Sequence, residues 1–128
     1  FEGNTGPYLQ YTYARIQSII RKLEENNITI LNKDIILENM NDIERELGSL
    51  LLKFPQAVMK AYESYRPNVI ADYLFDTAKI FNSFYNSKSI LKEDNKNIMD
   101  ARIILSKKTA YILKTGLSLL GIKTVDRM

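Results

Sequence analysis

Cysteine and histidine are both absent from this 128-residue sequence. Without cysteine, the chain can form no disulfide, no thiolate nucleophile and no cysteine-based zinc site. Without histidine, it lacks the side chain that most often serves as a general base or as a metal ligand. Ser-His-Asp and Cys-His catalytic groups are therefore excluded, and we predict no catalytic residue in this chain.

Glycine-rich phosphate loops and metal-binding carboxylate clusters are missing as well. The sequence contains neither a GxxxxGK[ST] nor a GxGxxG pattern, so no phosphate-binding loop is evident. The acidic pairs Glu24-Glu25 and Glu93-Asp94 fall at a predicted helix end and in a predicted loop, where solvation explains them. We predict that this chain binds no metal and no cofactor by itself. An enzyme built from this chain alone is the least favoured interpretation.

Long apolar runs and a strong charge imbalance are lacking too. No apolar run approaches the roughly 18 residues of a membrane span, and we expect no membrane association. The net charge of +3 favours a polyanionic partner only mildly. The sequence opens at Phe1 without an initiator methionine or a signal-peptide pattern. We therefore expect residues 1–128 to be a single domain cut from a longer protein.

Proline is scarce, and its three occurrences mark predicted helix starts at Pro7, Pro55 and Pro67. Proline at a first helical position loses no hydrogen bond and presets φ. With the apolar periodicity, the prolines predict helices at about residues 7–25, 42–53, 55–65, 67–85 and 98–120. Residues 28–40 are predicted to be an extended connection with a helical turn near residues 35–37. The predicted fold class is all-α, a bundle of about five helices.

Apolar residues at three- and four-residue spacing define the predicted core. In the first helix this stripe consists of Leu9, Tyr13, Ile16, Ile20 and Leu23. In the short third helix, Tyr62 and Tyr65 are among the residues predicted to face inward. Asp42 is predicted to cap the second helix. Gly121 fits the left-handed position after the last helix, with Ile122 packing back.

A second stripe of the first helix is aromatic and basic. It contains Tyr8, Tyr11, Arg15 and Lys22, which the helical repeat places on one side, about 100° from the core stripe. Unpaired RNA bases stack on tyrosine rings, and Arg and Lys contact phosphates or base edges. The same spacing also fits half-buried packing residues beside a solvated face, which is the more common arrangement. Periodicity alone does not decide between the two interpretations.

Several longer segments resemble a known family. They are residues 3–11 (GNTGPYLQY), 66–74 (RPNVIADYL), 81–85 (FNSFY), 100–103 (DARI) and 126–128 (DRM). In this order they resemble the anticodon-binding domain of arginyl-tRNA synthetases. The segment DARI is similar to the tetrapeptide that names the DALR domain class. The resemblance spans essentially the whole chain.

The resemblance implies a class I ligase that joins arginine to its tRNA with ATP and Mg²⁺. A catalytic domain would precede residue 1 in the same polypeptide and would hold the ATP. This chain would bind the anticodon stem-loop of arginine tRNA and would be inactive alone. We expect a cytoplasmic, monomeric parent protein.

The resemblance also implies which residues contact the RNA. It assigns anticodon-loop contacts to Tyr8, Tyr11, Arg15, Tyr85 and Met128. From the basic stripe we add Lys22, and we expect Lys107 and Lys108 to hold further phosphates. The predicted RNA site therefore combines aromatic rings with cations.

Three positions receive a structural interpretation. We expect Asp100 to lie in the first turn of the last helix, where a carboxylate suits the helix dipole. Arg102 is expected to tie that helix to a neighbour. Tyr13 stands where the family usually has histidine, and its place on the core stripe predicts that the aromatic ring is tolerated.

Two alternatives remain open at this point. The first is a helical module that docks on protein, for which complex formation would be insensitive to salt. The second is the related helical domain of another synthetase, such as the glycyl β subunit or the cysteinyl enzyme. Residues 3–11 argue against the second alternative.

Overall fold

A computed structural model describes residues 5–34, 40–87 and 89–128. These ranges contain no strand and five helices: α1 (Thr5–Glu25), α2 (Asp42–Leu51), α3 (Phe54–Ser64), α4 (Asn68–Ser87) and α5 (Lys96–Leu119). The predicted all-α class is thus confirmed. The turn expected near residues 35–37 lies outside the described residues. No helix in these ranges has the length and apolar character needed to cross a bilayer.

Helix α2 begins one residue earlier than its predicted cap implies. The cap is Asn41, whose side chain accepts a hydrogen bond from the Glu44 N–H at 2.8 Å, while the Glu44 carboxylate accepts one from the Asn41 N–H at 3.4 Å. This reciprocal pair is a capping box. The prediction of Asp42 as the cap was wrong, because only position 41 has a glutamate three residues ahead of it.

The core lies where α4 and α5 cross, and α4 contacts every other helix. Phe81, Phe84 and Leu113 are completely buried there. At Gly116 the two helices approach so closely that a Cβ atom would lie 2.6 Å from a methyl carbon of Leu74. Glycine at this position therefore sets the distance between the two central helices.

The predicted stripe of α1 is largely confirmed, since Leu9, Tyr13, Ile16 and Leu23 are buried. The prediction for α3 was wrong. Tyr62 and Tyr65 are 78% and 92% exposed. Helix α3 packs mainly on α4, so its buried stripe is narrow and excludes both tyrosines.

Arg102 fastens α5 to its neighbours, as predicted. Its side chain is buried and lies 3.0 Å from the carboxylates of Glu44 in α2 and Glu93 before α5. It also donates to the carbonyl of Ser89 at 3.2 Å. Two carboxylates and a carbonyl therefore compensate the buried guanidinium.

Asp100 has a different structural role from the one predicted. Because α5 begins at Lys96, Asp100 lies past the first turn, beyond the free N–H groups of the helix. Its carboxylate accepts hydrogen bonds from the N–H groups of Leu31 and Asn32, each at 3.0 Å, and lies 2.9 Å from the Lys96 ammonium. Asp100 thus anchors the connection that follows α1.

The residues after α5 run back along α1. Gly121 adopts the predicted left-handed conformation, with φ of 76°, and the Ile122 N–H donates to the Leu117 carbonyl at 2.9 Å. Two side chains of α1 then hold the tail. Gln10 donates to the Lys123 carbonyl at 2.7 Å, and Arg21 donates to the carbonyl of residue 126 at 3.0 Å.

Candidate nucleic-acid interface

A cleft of about 370 Å³ opens between α1, the end of α4 and the C-terminal tail. We call it the Tyr11 cleft. Five of the six residues predicted from the sequence to contact RNA line it: Tyr11, Arg15, Lys22, Tyr85 and Met128. They come from three separate parts of the chain, and tertiary structure brings them together.

Each wall of the Tyr11 cleft has a local cause. Tyr11, Arg15 and Lys22 are four and seven residues apart, so the helical repeat places them along one face of α1. Tyr85 follows the fully buried Phe84, and one helical step turns its ring toward solvent. The hydrogen bonds from α1 to the tail place Met128 at the cleft, where it is 66% exposed.

The Arg15 guanidinium lies between the two aromatic rings of the cleft. Its central carbon is 4.5 Å from the ring centroid of Tyr85 and 5.3 Å from that of Tyr11. Both distances lie within the range of cation–π attraction. Arg15 also donates to the side-chain oxygen of Asn82 at 2.9 Å. The arginine therefore holds both rings at fixed positions while Tyr11 stays half exposed.

Tyr8 does not line the Tyr11 cleft. Its ring packs against Phe75 with centroids 5.4 Å apart, and its hydroxyl accepts a hydrogen bond from the Asn82 amide at 3.0 Å. The periodicity that grouped Tyr8 with Tyr11 did not reveal that α4 covers it. Tyr8 reaches the cleft only indirectly, through Asn82 and Arg15.

The Tyr11 cleft is cationic. Besides Arg15 and Lys22 it is lined by Arg21 and Arg127, and no Asp or Glu occurs among the described residues that line it. Sequence reasoning missed both additional arginines. Arg21 directly precedes Lys22, and Arg127 lies in the 126–128 segment. Both could have been predicted as sequence neighbours of residues already assigned to the site.

Lys107 and Lys108 lie elsewhere, contrary to the expectation that they assist at this site. Lys107 lines a separate cleft with Ile20, which is roughly 180° around α1 from Tyr11. Lys108 lines a larger, mainly apolar groove of about 730 Å³ between α2 and α5. The prediction placed both lysines on the wrong side of the bundle, because sequence spacing does not show where α5 packs.

In the described part of the chain, no group of three or more acidic side chains is arranged to hold a metal ion. What the described residues define is an all-α domain with a cationic, aromatic-lined cleft. A family model described as the DALR anticodon binding domain matches residues 9–128. The chain belongs to the DALR anticodon binding domain family. The resemblance found in the sequence is thereby confirmed.

Comparison with individual proteins agrees with this assignment. The chain is 52% identical to an arginine–tRNA ligase of Fusobacterium nucleatum and 41% identical to one of Shewanella amazonensis. All of this chain but only 22% and 21% of those relatives is covered. The chain therefore spans about a fifth of the length of the relatives it matches.

Solved structures with the same fold include the arginyl-tRNA synthetase of Thermus thermophilus. Its TM-score is 0.85 at 36% identity, covering 100% of this chain and 22% of that one. The arginyl-tRNA synthetase of Plasmodium falciparum gives a TM-score of 0.74 at 30% identity, covering 99% of this chain and 22% of that one. Both likenesses extend over essentially every helix described above.

Proposed function

We propose that this chain recognises the anticodon loop of arginine tRNA on behalf of an arginine–tRNA ligase. The observation that carries the proposal is the Tyr11 cleft, where five predicted RNA-contacting residues meet without a facing carboxylate. Family membership supports the same conclusion. The chain contains no phosphate-binding loop, so ATP and Mg²⁺ would belong to a catalytic domain elsewhere in the same polypeptide. The 128-residue chain alone should not charge tRNA.

The cleft chemistry suits one splayed pyrimidine. Arginine codons all have G in the middle, so every arginine anticodon has C in the middle. Cytosine would stack on the exposed ring of Tyr11, and its O2 and N3 acceptors would face the guanidinium of Arg15. The thioether of Met128 would pack against the base or its ribose. Tyr8 would support the site by holding Asn82, without stacking on a base itself.

The remaining cations of the cleft would bind the RNA backbone. Arg21, Lys22 and Arg127 line it without contacting an aromatic ring of the site, so their charges are available to phosphates. A partner bound in this way dissociates as salt rises. We further propose that the parent ligase is cytoplasmic and monomeric.

The test is fluorescence anisotropy of this chain with a labelled arginine anticodon stem-loop and with the same hairpin carrying G in the middle. We expect tighter, salt-sensitive binding of the C form. Tyr11→Ala should weaken that binding roughly 5- to 100-fold, the range for loss of one stacking partner. Tyr62→Ala is the matched control, since Tyr62 is 78% exposed on α3 and lies outside the cleft.

Two outcomes would contradict the proposal. Equal binding of the C and G hairpins would mean that the basic surface does not read the anticodon. Loss of thermal stability in Tyr11→Ala would mean that Tyr11 is a packing residue. The mainly apolar groove beside Leu52 and Tyr111 favours protein docking as the second candidate function. A salt-insensitive protein complex, together with no RNA binding at low salt, would support it.

A further inference from the structure

Methionine is the side chain of this sequence that peroxides oxidise most readily. The chain has four methionines and contains neither cysteine nor tryptophan. Oxidation adds one oxygen to the thioether sulfur, and the sulfoxide that forms can be reduced back by an enzyme. Because no thiol competes for the oxidant, a peroxide that reaches this domain acts first on its most exposed thioethers.

The four methionines differ in exposure and in position. Met128 and Met59 are 66% and 55% exposed, whereas Met40 is only 6% exposed. Met99 is partly buried against the core. Exposure therefore predicts that Met128 and Met59 are oxidised first and Met40 last. Of these four residues, all of which the structure describes, only Met128 lines the Tyr11 cleft.

The position of Met128 depends on the backbone of the tail and not on its own side chain. Gln10 donates to the carbonyl of Lys123 at 2.7 Å, and Arg21 donates to the carbonyl of residue 126 at 3.0 Å. Met128 itself is outside the set of described residues that form the core or pack against it. Oxidation of its sulfur should therefore leave the fold intact and change only the lining of the cleft.

We propose that Met128 is a reversible oxidation site through which peroxides weaken RNA binding at the Tyr11 cleft. The inference rests on the proposed function, in which the thioether packs against the bound base or its ribose. A lone pair of the sulfur attacks one oxygen of a hydroperoxide, so that an S–O bond forms and the O–O bond breaks. The departing oxygen takes up the hydroperoxide proton and leaves as water or an alcohol. The sulfur is oxidised and the peroxide is reduced.

The sulfoxide weakens binding for two reasons. Its S–O group is polar and must lose water before a base or ribose can pack on it. Its oxygen also accepts hydrogen bonds, and the cleft offers donors from Lys22 and Arg127 with no carboxylate among its described lining residues. Cations that bind the sulfoxide oxygen are withdrawn from the RNA phosphates. Both effects act at the cleft and leave the rest of the domain unchanged.

The test compares stem-loop anisotropy of this chain before and after treatment with hydrogen peroxide, while peptide mass spectrometry reports the sulfoxide content of each methionine. Once Met128 is fully converted, the affinity for the arginine anticodon stem-loop should fall roughly 3- to 30-fold, as for burial of a polar group without a partner. Methionine sulfoxide reductase should restore the affinity. The melting temperature should not change while Met40 remains unmodified.

Three substitutions separate Met128 from the other exposed methionine. Met128→Leu keeps an apolar side chain without sulfur, so its affinity, whatever the starting value, should not change on peroxide treatment. Met59→Leu is the matched control outside the cleft and should lose affinity on treatment as wild type does. Met128→Gln introduces a polar group of similar length, and without any peroxide it should bind within a few-fold of oxidised wild type.

Three results would overturn the oxidation site. The first is wild type that binds equally well when Met128 is fully oxidised. The second is Met128→Leu that loses affinity on treatment as wild type does. The third is a fall in melting temperature that parallels the loss of binding, since unfolding would then be the cause.

The untreated chain distinguishes this proposal from the proposed function. If untreated wild type prefers C over G at the middle base but oxidation of Met128 leaves its affinity unchanged, only the oxidation site fails. If untreated wild type shows no preference at the middle base, the proposed function fails and the oxidation site fails with it.

Discussion

The side-chain amide of Asn82 uses both of its ends. Its oxygen accepts a hydrogen bond from Arg15 at 2.9 Å, and its nitrogen donates to the hydroxyls of Tyr8 and Thr12, each at 3.0 Å. These partners leave only one amide orientation that satisfies all of them. Asn82 therefore determines where Arg15, and through it the Tyr11 and Tyr85 rings, are positioned.

We expect Asn82→Ala to lower the free energy of unfolding by about 1–2 kcal/mol, because the hydroxyls of the half-buried Tyr8 and the fully buried Thr12 lose a hydrogen-bond partner. Anticodon binding should weaken too, since Arg15 is then free to leave the rings. Urea denaturation and stem-loop anisotropy measure the two effects. Ser83→Ala, the next and exposed position, is the control. Unchanged binding in Asn82→Ala would show that Arg15 needs no such support.

Asp100 makes part of the stability dependent on pH. Burial alone raises its pKa, but the hydrogen bonds from Asn32, Lys96 and Leu31 outweigh it, and the pKa lies below the ordinary aspartate value. A carboxyl whose pKa is lower folded than unfolded stabilises the fold above its unfolded pKa of about 3.9. That contribution is lost as pH falls through the folded pKa.

We therefore expect acid unfolding of the wild type to include a component that Asp100→Asn lacks. At neutral pH the same variant should be less stable by about 1–3 kcal/mol, as for a buried charged hydrogen-bonding group. Thermal unfolding between pH 2 and pH 7 measures both effects. The stability curves of wild type and Asp100→Asn should converge at low pH. Parallel curves would mean that another carboxylate controls the acid transition.

At the scale of helices, the contact between α4 and α5 depends on Gly116. A methyl group there would lie 2.6 Å from Leu74, closer than packed carbon atoms tolerate. We expect Gly116→Ala to destabilise the domain by about 1–3 kcal/mol through overpacking. Gly48→Ala in α2 is a matched control, because its added carbon would meet Leu105 at an ordinary 3.7 Å.

The control variant Gly48→Ala should change the free energy of unfolding in the opposite direction. Alanine in a helix interior is favoured over glycine by roughly 0.5–1 kcal/mol, so Gly48→Ala should be neutral or stabilising. Chemical denaturation of the two variants gives the comparison directly. If both lost stability equally, close approach of α4 and α5 would not be the reason for glycine at position 116.

At the scale of the whole molecule, a net charge of +3 understates the charge that an RNA would meet. Arg15, Arg21, Lys22 and Arg127 gather at one cleft. If the three that do not lie between the rings (Arg21, Lys22 and Arg127) contact phosphates, the logarithm of the binding constant should fall with the logarithm of salt concentration with a slope of roughly −2 to −3. Anisotropy titrations at several salt concentrations measure it. A slope near zero would contradict an RNA-binding role for the cleft.

The helices could be predicted because their signals are local. The prolines at 7, 55 and 67 and the apolar repeat located each helix to within about two residues of where the structure has it. The inward prediction for Tyr62 and Tyr65 failed, because the apolar repeat does not tell how many neighbours a helix has. For the same reason, Tyr8 was grouped with Tyr11 although Phe75 covers it.

By itself, the sequence determined the all-α class, the helix positions, the resemblance to its family and five residues of the Tyr11 cleft. These depend on composition, on the helical repeat and on contiguous motifs, all of which can be read directly from the sequence. Only the tertiary structure decided that the tail places Met128 and Arg127 beside α1, that Asp100 holds the connection after α1, and that Lys107 and Lys108 face elsewhere. Those outcomes depend on which helices pack together, and long-range packing is set by the complementarity of several faces at once.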